Sequence, residues 1–301
     1  MDNTVTTIID PEKCTGCGLC VKVCPSETLS MLDGKAVVSG DRSIQCGQCE
    51  AVCPEGAVHV KALDNSALDF ETFSHGPEWM KPGDFNTGEL VRLMRSRRSV
   101  RSYKEKVVPE PVLRDLVRAG ITAPSGSNCQ DWSFTVIRGS EQTAGLGIMI
   151  NAHFRKINSM AEKPWLRALM KLLGKPQLDF YYRNYYEINR HRVERCDREG
   201  TDWLFYSAPA LIIISSGAGE STPLHDAMLA TQNICLAAHS MGLGTCIIGF
   251  ALSALNMNRK IKAAAKIPEQ ETVQSVITVG YPAIRYRTVT GRKEPVVRFV
   301  T

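Results

Sequence analysis

Four cysteines in the run Cys14-x2-Cys17-x2-Cys20-x3-Cys24, followed at once by Pro25, constrain this chain more than any other feature. Thiolates are strong ligands for iron. A loop with this spacing wraps three sulfurs around one corner of a cubane cluster, and the fourth cysteine reaches a different cluster. A zinc knuckle is the competing reading. Four cysteines in register, with Gly16 inside the loop and a closing Cys-Pro, fit iron–sulfur binding far better. The chain holds 11 cysteines in 301 residues, and seven of them lie in the N-terminal module. Gaps of two and three residues, in a chain that opens with neither a basic nor an apolar stretch, imply metal rather than disulfides. The compartment this predicts is a reducing cytoplasm.

A second run, Ser43-x2-Cys46-x2-Cys49-x3-Cys53-Pro54, repeats the pattern with serine at its first position. A short apolar strand follows each run, Thr28–Leu32 after the first and Ala57–Val60 after the second. Residues 1–62 therefore read as a duplicated, two-cluster module of the bacterial ferredoxin type. Under the crossing arrangement, Cys14, Cys17, Cys20 and Cys53 hold one complete 4Fe-4S cluster. Cys24, Cys46 and Cys49 offer three ligands to a second. Its fourth ligand is open between the Ser43 hydroxyl, the Asp41 carboxylate, a water, or nothing, and the last case favours a 3Fe-4S cluster. A degenerate, empty second site is the plain alternative. Oxygen ligation shifts a cluster's potential within a range of about −700 to +450 mV.

Residues 63–88 read as a linker whose aromatics, Phe70, Phe73 and Trp79, are expected to pack on the next domain. From residue 89 to 301 the pattern is that of a helix-and-sheet domain, so the fold class is α+β. Helices are expected over Glu89–Ser96, over Pro111–Ala119 with an apolar face of Val112, Leu113, Leu116 and Val117, and over Asp226–Met241. The last has so little polar surface that it belongs in a core or a subunit interface. Strands are expected at Trp132–Ile137, Ala210–Ser215 and Val276–Gly280. Residues 150–203, rich in Lys, Arg, Tyr and Trp, read as helical cover, an insertion or a lid. The longest apolar run, Ala208–Ile214, is far too short to span a bilayer. Net charge is +5 with no long basic run, so neither nucleic acid nor membrane is an expected partner.

Three stretches of this second domain share a theme. Arg95–Arg101 places guanidinium groups and hydroxyls at a helix end, which suits a phosphate. Ala123–Trp132 is a turn of short hydrogen-bonding side chains. Gly242–Gly249 lets backbone approach a flat ligand closely. Together, in this order, they resemble the FMN-dependent nitroreductase superfamily over about residues 89–298. Its Arg-x-Ser-x-Arg/Lys segment corresponds to Arg97–Arg101, its Ala-Pro-Ser-x-x-Asn-x-Gln-Pro-Trp to Ala123–Trp132, and its Gly-Leu-Gly-Thr to Gly242–Thr245. Asp131 departs from the usual proline.

The resemblance implies a central mixed sheet flanked by helices, and an intertwined homodimer with flavin at its interface. It implies that Arg97, Arg98, Ser99 and Arg101 hold the FMN phosphate and ribityl chain, and that Arg292, or Lys293 beside it, also reaches the phosphate. Pro124, Ser125, Gly126 and Asn128 are expected to line the ring from the partner subunit, with Gln130 supporting that loop. The backbone of Ile247, Ile248 and Gly249 is expected at the ring edge. His225 and Asp226 read as a helix N-terminal pair rather than a proton relay. Flavin accepts electrons singly and releases them in pairs, whereas clusters pass them singly. The expected function is therefore a wire from a donor, reduced ferredoxin or NAD(P)H, through the clusters and FMN to a small electron-poor nitro or quinone-like acceptor. Ene reduction, dehalogenation or flavin reduction, and an electron-transfer or redox-sensing subunit without its own substrate, are the alternatives.

Overall fold

A computed structural model describes residues 2–76, 78–217 and 222–301. The N-terminal module is built twice over. Strand β1 (Thr7–Ile9) leads into the first cysteine loop and helix α1 (Leu19–Val23), then a hairpin of β2 (Leu29–Leu32) and β3 (Lys35–Val38). The second loop enters α2 (Gln48–Ala51) and ends on β4 (Val58–Val60), which pairs antiparallel with β1. Gly18 and Gly47 cap the two helices in the same left-handed conformation, with φ of 72° and 73°. A side chain is disfavoured in that conformation, so glycine at both positions sets both helices at the same angle. Each helix then buries one ligand cysteine, Cys20 or Cys49. The two halves also share a backbone contact. The Thr28 amide donates to Cys24 Sγ at 3.4 Å, and the Ala57 amide donates to Cys53 Sγ at 3.2 Å.

The linker is held down by a polar anchor. Asp115, fully buried, accepts the backbone amides of Glu71 and Thr72 at 2.8 and 2.7 Å, and Arg118 pairs with both Asp115 and Glu71. Burial alone would raise the Asp115 carboxyl, but hydrogen bonds from Thr72, Glu71 and Arg118 outweigh it and hold the group below its ordinary value. The aromatics do less than expected. Phe70 and Phe73 pack on each other at 4.5 Å, while Trp79 stays 82% exposed.

The second domain opens with α3 (Thr87–Ser96), α4 (Glu110–Ile121) and β5 (Trp132–Arg138). Residues 150–203 fall into the end of α5 (Ser140–Ala161), α6 (Pro164–Leu172), α7 (Gln177–Asn184) and α8 (Tyr186–Glu199), so they form helical cover. There follow β6 (Ala210–Ser216), α9 (Pro223–Ser240), β7 (Gly244–Ile247), α10 (Gly249–Met257), α11 (Arg259–Ala264) and β8 (Thr272–Gly280). The sheet runs β5-β6-β8-β7 with every strand pair antiparallel. The mixture expected of it is confined to one parallel bridge, Ser99 to Thr245, on the β7 edge.

Strand β6 is buried along its whole length. Because side chains alternate across a strand, Leu211 and Ile213 enter one core with α5 and α10, while Ala210, Ile212 and Ile214 enter another with α4 and α9. Each of these leucine and isoleucine side chains contributes about 1.5–3 kcal/mol by leaving water. Helix α4 turns Leu113 and Leu116 into the second core, as its period predicts. Among the described residues no helix is long and apolar enough to cross a membrane.

Candidate functional site

The seven cysteines gather around two separate voids. Cys14, Cys17, Cys20 and Cys53 line one of about 310 Å³. Cys24, Cys46 and Cys49 line the other, of about 320 Å³, together with Ser43. The fold thus brings together the same two groups of cysteines that the crossing arrangement pairs. Among the described residues no three His, Cys, Asp or Glu side chains converge closely enough for a single ion. Thiols that surround one space but are too far apart to share a single ion fit a polynuclear cluster better than one zinc ion. Ser43 is buried, and its Oγ accepts the Gln45 amide at 3.0 Å. Asp41, the other oxygen considered, is exposed and lies outside the lining of the void.

The second cysteine loop touches the other domain. Asn128 Nδ2 donates to the carbonyl oxygens of Ile44 and Gln45 at 3.3 and 3.0 Å. Among the described residues these are the only hydrogen bonds between residues 2–62 and residues 89–301. The loop that carries Asn128 is shaped from behind. Buried Asp226, at the start of α9, accepts the Gly126 amide with both oxygens at 3.1 Å and the Thr222 hydroxyl at 2.9 Å. Ser125 Oγ accepts the Gln130 amide at 3.0 Å. Asp226 therefore positions a loop, whereas His225 is exposed.

The segment Arg97–Arg101 lies along β7. The Val100 amide donates to the Thr245 carbonyl at 2.9 Å, and a Cβ on Gly244 would meet Val100 Cγ2 at 2.5 Å. Glycine at 244 is what lets the two motifs close on each other. The cations concentrate positive potential there. Burial and then the Arg97 guanidinium push the His239 imidazole below its ordinary value. Burial raises the Cys246 thiol, which Arg101 and Ser99 oppose.

Arg101, Ile247, Ile248 and Gly249 face one cavity of about 1,770 Å³, covered by residues of α5–α8. Phe154, Tyr181, Arg192 and Tyr206 line it as well, and none of these was singled out in the sequence. Arg98 points elsewhere, donating to Thr290 Oγ1 at 2.7 Å. Arg292 and Lys293 lie just beyond Thr290 in an exposed tail without helix or strand. Pro124, Ser125, Gly126, Asn128 and Gln130 do not line this cavity in the same chain.

Residues 94–281 match the nitroreductase family, and residues 7–30 and 44–57 each match a 4Fe-4S binding domain. The chain is 26% identical over 236 residues to a 4-nitrobenzoate reductase of Nocardioides, covering 69% of this chain and 87% of the relative. An iodotyrosine deiodinase of Haliscomenobacter hydrossis is 24% identical over 211 residues, or 65% of this chain and 81% of the relative. The crystal structure of a Bacteroides fragilis nitroreductase with bound FMN superposes with a TM-score of 0.53 at 25% identity, covering 70% of this chain and all of that one.

Proposed function

The chain belongs to the nitroreductase family of FMN-dependent oxidoreductases, and from that premise we propose that its iron–sulfur module feeds electrons to a flavin site that reduces a small electron-poor acceptor, a nitro or quinone-like compound. The observation that carries this reading is the pair of hydrogen bonds from Asn128 to Ile44 and Gln45. They tie the loop of the second cluster void to the loop that the family uses beside its flavin.

Within this reading Cys14, Cys17, Cys20 and Cys53 hold the outer cluster, and Cys24, Cys46, Cys49 and the Ser43 oxygen hold the inner one. The Gln45 amide that bonds Ser43 Oγ would stabilise that oxygen in its anionic form. Arg97 and Arg101 supply the positive field for a phosphate, Ser99 offers it a hydroxyl, and Ile247–Gly249 present backbone to a flat ring. FMN, when bound, accepts electrons one at a time and delivers them as a pair. Aromatic and aliphatic side chains make up most of the cavity wall beside those backbone groups.

The loop Pro124–Gln130 serves the site of a second copy. Helices α3 and α9 touch, and each leaves apolar side chains exposed: Leu90, Val91 and Met94 on one, Leu224, Met228 and Leu229 on the other. A homodimer covers such a surface. The donor is a one-electron carrier such as reduced ferredoxin, or NAD(P)H. The resemblance to a deiodinase supports a second reading, in which the same flavin site removes a halide reductively.

Anaerobic purification with iron and flavin counted per chain tests the proposal. It predicts about one FMN and two iron–sulfur clusters per chain. Protein that binds no FMN would rule it out.

A further inference from the structure

Helix α8 carries four arginines, and three of them have carboxylate partners. Arg190 pairs with Glu187 and Glu194, and Arg195 and Arg198 pair with Glu199. Arg192 is different. Among the described residues no carboxylate lies within ion-pairing distance of it, and it is half-buried against the large cavity, with its guanidinium carbon 4.7 Å from the centre of the Phe250 ring. Among the described residues the cavity wall has no Asp or Glu. Its charged side chains are Arg101, Lys175 and Arg192, set among aromatic rings. A guanidinium drawn out of water without a counter-ion is costly unless an anion completes the site. Its planar fork matches a carboxylate in two parallel hydrogen bonds. The rings beside it offer faces to a flat, apolar body.

We propose that this cavity takes a flat conjugated carboxylate, with Arg192 as the residue that selects for the negative charge and Lys175 as a second cation at the rim. This deepens the function proposed above and rests on it, because it names the class of acceptor that the flavin site would serve. Arg101 follows the segment that the Ser99–Thr245 bridge and the Val100–Thr245 hydrogen bond hold against β7, beside Ile247–Gly249, and belongs with the cofactor. Arg192 sits on the covering helices, where it meets whatever the cavity admits.

Calorimetric titration of the FMN-loaded, full-length protein with benzoate, and with neutral benzamide of the same shape, tests this without turnover. Benzoate is expected to bind about tenfold more tightly or better, the usual worth of a charge-assisted hydrogen bond pair. Arg192→Gln is expected to remove that preference and leave benzamide binding as it was. Arg195→Gln, which breaks an ion pair away from the cavity, is expected to leave the preference intact. Equal binding of the two probes, no binding of benzoate, or an Arg192→Gln protein that still prefers benzoate each overturns the inference. Failure here, in protein that retains FMN and reduces neutral nitroarenes, leaves the proposed function standing. Protein without FMN strikes that function instead.

Discussion

The two cysteine loops share a length, a capping glycine and an N–H···S contact, yet they face different surroundings. The outer loop offers four thiols, and Cys17 is exposed to solvent. The inner loop offers three thiols and a buried serine, and it is the half that Asn128 ties to the second domain. A duplicated module has no structural reason to differ between its halves. The departure from symmetry falls on the side where a cluster would hand electrons to a flavin, and the exposed thiol falls on the side where a donor protein could dock. The difference fits the proposed wire, in which electrons would enter at one site and leave at the other.

The largest expected effect comes from removing one inner ligand. Cys49→Ala should take away roughly half of the bound iron and unfold part of the module, because metal binding and folding free energy are shared in such small domains. Iron analysis and near-ultraviolet dichroism would read this. If Cys49→Ala keeps its full iron, the inner void does not hold a cluster and the two loops are not comparable sites.

Next in size is Asp115→Ala, which leaves Arg118 short of a partner and frees the amides of Glu71 and Thr72. A loss of about 3–5 kcal/mol in unfolding free energy is expected, as for a broken buried pair. The same anchor has a pH signature. The Asp115 carboxyl lies below its ordinary value when folded, so its contribution is complete above the unfolded value near 3.8 and is lost as pH falls through the folded one. Acid unfolding of wild-type protein should therefore be steeper at low pH than that of Asp115→Asn. Equal acid profiles would mean that the linker is held by something else.

Ser43 sharpens the comparison directly. Ser43→Cys should make the inner site spectroscopically like the outer one. Ser43→Ala should leave a site prone to losing about one iron, with the paramagnetic signal of a three-iron cluster. Identical spectra for wild type and both variants would remove serine from the ligand set. The smallest effect belongs to Asn128→Ala. Losing two hydrogen bonds to the Ile44 and Gln45 carbonyls, at about 0.5–1.5 kcal/mol each, should loosen the module without disturbing the iron count, and amide hydrogen exchange across the whole loop 43–49 should rise as its docking weakens. Unchanged exchange there would dissolve the tie between the inner loop and the second domain.

What the residues disclose in advance follows how local each feature is. The cysteine spacing alone predicts which four sulfurs share a void, because the ligand pattern is a matter of loop length. Helix α4 and strand β6 are legible because their apolar periods reflect one or two buried faces. Strands β1 and β3 pass unnoticed, being three or four residues long and paired at a distance or through the Asp33-Gly34 turn. The open strand β7 hides in a glycine-rich stretch that reads as a turn. At the site, Arg97–Arg101 and Gly242–Gly249 announce themselves as motifs, and Gly244 joins them. Arg192 does not announce itself. In a helix crowded with arginines, only the fold decides which one lacks a carboxylate. Asn128 is legible as a residue of the loop that the family resemblance sets beside flavin, but its grip on the cluster loop depends on the docking of two domains.

The claim that electrons enter at the outer loop and reach the flavin through the module is tested most directly by rapid anaerobic mixing with a reduced one-electron carrier protein. Bleaching of the flavin absorbance is followed in wild type and in Cys17→Ala, both loaded with FMN. The account predicts that wild-type flavin is reduced, and that the variant keeps its FMN while reduction by the carrier falls to background. Flavin in Cys17→Ala that bleaches as fast as in wild type would contradict it.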